Sequence, residues 1–160
     1  MATRKPPPCA ACRDGEGRAT TTVLTFALAR CRTTASARVA ARTCRACGAV
    51  AVDPQVEVRA RLAVGCTLAD HGVHDGEAFR HLRRALGLRA AELARLLDVT
   101  PETISHWETG KSTPARGAFV ALAALAQDAL DGRTATRDRL AAMADGRRWP
   151  RALSVELAAR

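Results

Sequence analysis

The chain contains no tyrosine, and its 160 residues hold only two tryptophans and three phenylalanines. A core with so few aromatics must be built from Leu, Val and Ala. It has no apolar run near the roughly 20 residues that a membrane-spanning helix requires, so no membrane partner is expected. The opening MATRKPPPCAAC has basic residues with no apolar stretch behind them, and so does not read as a secretory signal. Without export the six cysteines are expected as thiols or metal ligands, not disulfides, in a cytoplasmic, nucleoid-associated protein. The four histidines, His71, His74, His81 and His106, join no Ser–His–Asp or Cys–His grouping, and no glycine loop for phosphates is present. No enzyme is expected.

Acidic residues are also few. Sixteen Asp and Glu face twenty-five Lys and Arg, for a net charge of +9 and an isoelectric point near 10.5. That balance favours an anionic partner. The excess is uneven. Residues 1–54 carry nine basic and three acidic side chains, residues 131–160 seven and four, and residues 76–130 only seven and six. The aromatics Phe79, Trp107 and Phe119 fall at core spacing, so no exposed stacking platform for single-stranded nucleic acid is expected.

Periodicity divides the chain. Residues 1–8 form a basic, proline-rich arm expected to be disordered. In TTTVLTFALARC, residues 20–31, Val23, Thr25 and Ala27 alternate with Leu24, Phe26 and Leu28. SARVAARTC, residues 36–44, is similar in composition. Both predict strands, with a turn over residues 32–35. From residue 55 to 70 the period is ambiguous. Val56, Ala60, Ala63 and Val64 can share a helix face, with Gly65 as a weak point, which predicts a linker helix. HGVHDG, residues 71–76, is a break. Beyond it Phe79, Leu82 and Leu86 predict one helix stopped by Gly87. Ala91, Leu93, Ala94 and Leu97 predict a second. Ile104 and Trp107 predict a third closed by Gly110, and residues 119–130 and 136–144 a fourth and fifth. No internal repeat is visible.

Two C-x-x-C pairs, Cys9/Cys12 and Cys44/Cys47, are separated by 31 residues that read as a β-hairpin. Each pair puts two thiolates on one side of a tight turn, and the hairpin brings the pairs together. Four thiolates make a closed tetrahedral set suited to one structural zinc ion, with no open position for an activated water. Cys31 and Cys66 read as small buried or half-exposed thiols.

The third helix of the second unit is sharply started, with Thr100 as N-cap and Pro101 at the first position. At 100° per residue Ile104 and Trp107 share a buried side, while Glu102, Ser105, His106 and Thr109 point away and Thr103 lies at the boundary. Side chains that are short and polar on an outward face suit a helix entering a major groove of double-stranded DNA. Thr100, Thr103 and Ser105 hydroxyls, with the amides at the helix start, can meet phosphates, and Arg89 and Lys111 lie at the rim.

LRRALGLRAAELARLLDVTPETISHWETGKSTP, residues 82–114, resembles the helix-turn-helix of the lambda-repressor-like, or XRE, family. The likeness lies in LGL, ELARLL, VTPETISHWE-x-GK and the following proline, and continues loosely to Leu130. Ala90 stands where the family usually has a DNA-contacting Gln. Asp98 replaces the usual turn glycine, and His106 a common Arg. The resemblance implies a DNA-binding homodimer. Together with the two-C-x-x-C unit, the order of parts resembles the MqsA/YgiT-type antitoxins. There the zinc domain binds a toxin and the helix-turn-helix domain represses its own operon. The expected fold class is therefore α+β. A small β-rich zinc ribbon occupies residues 1–54, a linker helix 55–75, an all-α five-helix lambda-repressor-like helix-turn-helix domain 76–145, and a basic tail 146–160.

Overall fold

The structure is a computed structural model that describes residues 9–13, 15–28 and 32–146, together with 152 and 154. The arm at 1–8 and Cys31 lie outside the described residues, as does most of the tail at 146–160. A three-stranded antiparallel sheet precedes six helices. The strands are β1 (Gly17–Leu28), β2 (Thr33–Cys44) and β3 (Val50–Ala51), in the order β1-β2-β3. The helices are α1 (Pro54–Asp70), α2 (Gly76–Ala85), α3 (Ala90–Leu97), α4 (Pro101–Thr109), α5 (Arg116–Leu130) and α6 (Ala135–Ala144).

β1 and β2 pair without a bulge from Gly17↔Cys44 to Leu28↔Thr33. The turn expected over residues 32–35 is displaced toward the N-terminus, since β1 ends at Leu28 and β2 begins at Thr33. Thr33 already belongs to β2, and Ala35 is half-buried opposite Phe26. The alternation of Thr33, Ala35 and Ala37 inward had been hidden by how small these side chains are. β3 adds a short third strand, pairing Val50 with Thr43 and Ala51 with Arg42.

The inward face of the ribbon, Phe26, Leu28 and Val39, is buried in the same apolar cluster as the helices. α1 makes that join. Asp53 caps it, accepting from the Gln55 N–H at 2.7 Å, and Pro54 sits in the first turn. α1 packs against β2 on one side and α2 and α5 on the other. Its buried residues Ala60, Leu62, Val64, Gly65 and Leu68 therefore spread over about 200° of the helix wheel. The expected face was narrower, and Ala63 is exposed. Gly65 is a site of close approach: a Cβ there would lie 2.2 Å from Leu82 Cδ2.

Phe79, Leu82, Leu93, Ile104 and Leu122 are the largest fully buried side chains. Phe79 packs edge-on against Trp107, with ring centres 5.3 Å apart, and lies 6.2 Å from Phe119. α3 buries Leu93, Ala94 and Leu96, with Leu97 packed at the margin of the core; Ala91, expected inward, is exposed. At 100° per residue Ala91 lies on the far side of α3 from Leu93. Asp98 turns the chain into α4 in the left-handed region, with φ 53° and ψ 48°. Aspartate tolerates that geometry better than most residues.

Candidate metal centre and nucleic-acid interface

Hairpin pairing brings the two cysteine pairs to one end of the ribbon. The four sulfurs of Cys9, Cys12, Cys44 and Cys47 all lie within 4.8 Å of one another. Cys9 and Cys47 sulfurs are 3.8 Å apart, Cys12 and Cys44 sulfurs 3.6 Å. A tetrahedron with metal–sulfur bonds of about 2.3 Å has edges of about 3.8 Å. The donor set thus fits one closed tetrahedral ion. Among the described residues this is the one such group of ligands.

The two knuckles are built alike. The Arg13 N–H donates to the Cys9 carbonyl at 2.8 Å, as the Gly48 N–H does to Cys44 at 3.0 Å. Both residues have positive φ, 63° at Arg13 and 72° at Gly48. The second knuckle uses glycine at this position, and the first forces an arginine into it. Backbone amides then favour thiolates. Those of Cys12 and Ala11 draw the Cys9 thiol below its ordinary 9.0, and those of Cys47 and Ala46 do the same for Cys44. At Cys47 the Ala49 N–H pulls downward, but the sulfurs of Cys44, Cys12 and Cys9 push the thiol up to about 12. A cluster in which two thiols are drawn toward ionisation and a third resists it beside the other sulfurs is one that a central cation would favour.

Gly15 closes the cradle. Its carbonyl accepts from the Cys9 N–H at 3.3 Å, and a Cβ on it would lie 2.1 Å from the Cys44 sulfur. Sequence reasoning missed Gly15. Its only signal is its place in the turn after the first pair. Cys66 stands apart from this group, half-buried with its sulfur 3.9 Å from the Ala123 carbonyl. Burial pushes its thiol up.

The second candidate site is the outer face of α4. Ile104 and Trp107 are its buried residues. Pro101, Glu102, Ser105, His106 and Thr109 are exposed and Thr103 is half-buried, as the wheel predicted. Arg89 and Lys111 are also exposed, at the start of α3 and just past the end of α4. The hydroxyls are less free than expected. Thr100 Oγ1 accepts from the Thr103 N–H at 3.2 Å and lies 3.1 Å from the Thr103 hydroxyl. Thr109 Oγ1 donates back to the Ser105 carbonyl at 2.7 Å. Glu102, Ser105 and His106 keep side chains unengaged by these caps. Gly110 ends the helix at φ 76°, and the Lys111 N–H donates to the His106 carbonyl at 2.9 Å.

A buried ion pair fixes this face against the core. Arg83 on α2 forks onto Glu108 of α4 through two N–H donors, and its Nη1 donates to the Leu88 carbonyl at 2.7 Å. The side chains are only 13% and 11% exposed. The hydrogen bond to Glu108 raises the Arg83 pKa further above its ordinary value. Nothing local marks Glu108, 25 residues away, as the partner of Arg83. Gly76 completes the junction, since a Cβ there would meet the Trp107 carbonyl oxygen at 1.8 Å.

Residues 76–133, spanning α2 to α5, match the family model described as a helix-turn-helix domain. The chain thus carries a helix-turn-helix domain behind a β-ribbon whose four clustered cysteines could hold a metal ion. No curated protein matches the chain.

Proposed function

We propose that the protein is a sequence-specific regulator of transcription that binds double-stranded DNA. As a homodimer it would place α4 of each copy in the major groove of two half-sites about one helical turn apart. In this reading Glu102 and His106 address base edges, with Ser105, Thr103 and Thr109 beside them. Arg89, Lys111 and the Thr100–Pro101 helix start meet phosphates at the rim. The four cysteines hold one structural zinc ion, which leaves no coordination site for hydrolysis and suits a non-enzymatic protein. The observation that carries the reading is the polar, exposed side of α4 inside a domain matching the helix-turn-helix model. Selection from a randomised duplex library at about 150 mM salt tests it. Enrichment of a paired motif is expected, and a library that stays random would sink the proposal.

The ribbon supports a narrower second reading, in which the protein is an antitoxin. Its metal-bearing unit would neutralise a toxin while the helix-turn-helix domain represses the shared operon. The favouring observation is the two-knuckle ribbon joined to a helix-turn-helix domain. Co-expression with the product of the adjacent gene discriminates: rescue of growth supports the antitoxin, and an adjacent product with no toxicity leaves a plain regulator.

A further inference from the structure

We infer that the cleft between the end of β1, α1 and α2 binds a small organic anion, a phosphate or carboxylate carried on an apolar body. The cleft has a volume of about 480 Å³. That lies within the usual range for small-molecule sites, which combine an apolar lining with a few placed polar groups. Its floor is apolar: Leu28 and Ala85 are buried there, and Val58 opens onto it while 43% exposed. Val58 is among the few large apolar side chains left exposed, and an apolar ligand body would cover it.

The rim is cationic. Arg61, Arg80 and Arg84 line the cleft, against Glu77 as the one carboxylate among the described residues of the lining. Arg61 is held in place. It pairs with Glu57 at 2.6 Å, its guanidinium lies 5.2 Å from the centre of the Phe26 ring, and its carbonyl accepts from His81 Nε2 at 2.9 Å. Two donor groups of the guanidinium fork remain for a ligand. Arg80 and Arg84 are exposed, stand one turn apart on α2, and make no ion pair among the described residues. Like charges at that spacing weaken a helix unless an anion sits between them. The cleft thus offers two uncommitted guanidiniums above an apolar floor, where ribbon and helices meet.

A free ligand is the expected occupant, and the backbone of duplex DNA is the competing one that the test separates from it. The test uses the full, metal-loaded chain. AMP and benzoate are titrated by calorimetry at constant ionic strength, with neutral adenosine as control. AMP or benzoate should bind and adenosine should not. The double variant Arg80→Gln/Arg84→Gln should weaken that binding at least tenfold. Arg137→Gln/Arg139→Gln on α6 should leave it unchanged. An unaltered thermal midpoint without ligand shows that the cleft variant is folded. In parallel, a short duplex of random sequence is bound over a range of salt. A slope of log K against log salt reduced by about 1–2 in the cleft variant, with neither probe bound, would assign these arginines to backbone phosphate instead. An unchanged slope with lost AMP or benzoate binding assigns it to a free ligand. The inference is overturned if neither probe binds, whatever the slope, or if probe binding survives in the cleft variant. Whether the wild-type chain binds duplex at all is read separately from these outcomes.

Discussion

Single positions decide whether the metal cluster can form. Gly15→Ala removes no sulfur, yet its methyl would sit 2.1 Å from the Cys44 sulfur, so the second knuckle must shift. The expected outcome is loss of bound metal on mild chelator challenge, measured as metal per chain. Metal content equal to wild type would show that the loop yields without cost. If α4 reads DNA as proposed, its residue scale is one of specificity. Glu102→Ala and His106→Ala should each change base preference at one position by about 1–3 kcal/mol, since both are exposed and hold nothing in the core. Their thermal midpoints should match wild type. A uniform loss over all sequences would instead place these residues against phosphates. Asp98 and Arg13 show a different residue effect, with non-glycine side chains in left-handed backbone at turns where glycine would be less strained.

Elements are held by contacts that cross between helices. Arg83→Ala leaves Glu108 in a nearly closed site and cuts the tie between α2 and the end of α4. It should cost about 2–3 kcal/mol, somewhat under the usual figure for a fully buried pair, seen as a lower denaturation midpoint. DNA affinity should fall with it, because α4 loses its anchor. A midpoint within experimental error of wild type would show the pair to be ornamental. At this scale the sequence was informative wherever one face of an element is buried. α4 was legible to the residue, because Thr100, Pro101, Ile104, Trp107 and Gly110 each carry a local signal. β1 and β2 were legible as strands, though their ends were not, because Gly17, Thr33 and Ala35 are too small or too neutral to mark an edge. α1 was the hardest, because it is buried on two sides and has little amphipathic contrast. The four-cysteine cluster was legible from spacing alone. Gly15, the Arg83–Glu108 pair and the closeness of Gly76 to Trp107 were not, because each depends on a partner brought near only by folding.

The ribbon and helices share one apolar cluster, and this shapes the response of the whole molecule. Chelation should unfold the ribbon. It should also lower the thermal midpoint of the helical part, since Phe26, Leu28 and Val39 leave its core. Far-ultraviolet circular dichroism with and without chelator checks this; a helical midpoint that does not move would show that the ribbon lends the helices no stability. The same junction predicts an acid sensitivity. Burial first, with Arg61 nearby, holds His81 below its ordinary 6.5, although the Arg61 carbonyl opposes the shift. The folded state therefore prefers the neutral ring, while the unfolded chain takes up its proton near the ordinary value. The stabilisation is present above that value and is lost as pH falls through it. Thermal midpoints should drop between about pH 7.5 and 5.5, and His81→Phe should flatten the drop. A profile that His81→Phe leaves unaltered would place the acid-sensitive group elsewhere.

The packing of Trp107 under α4 has an optical consequence. With no tyrosine in the chain, ultraviolet emission comes from Trp107 and Trp149 alone. Once Trp149 is replaced by Phe, one buried indole reports on the molecule, 6% exposed and edge-on to Phe79. The helix it anchors carries its proposed DNA-reading residues on its outer, exposed side. Fluorescence would then follow that helix as it engages a duplex, with no dye attached to the protein.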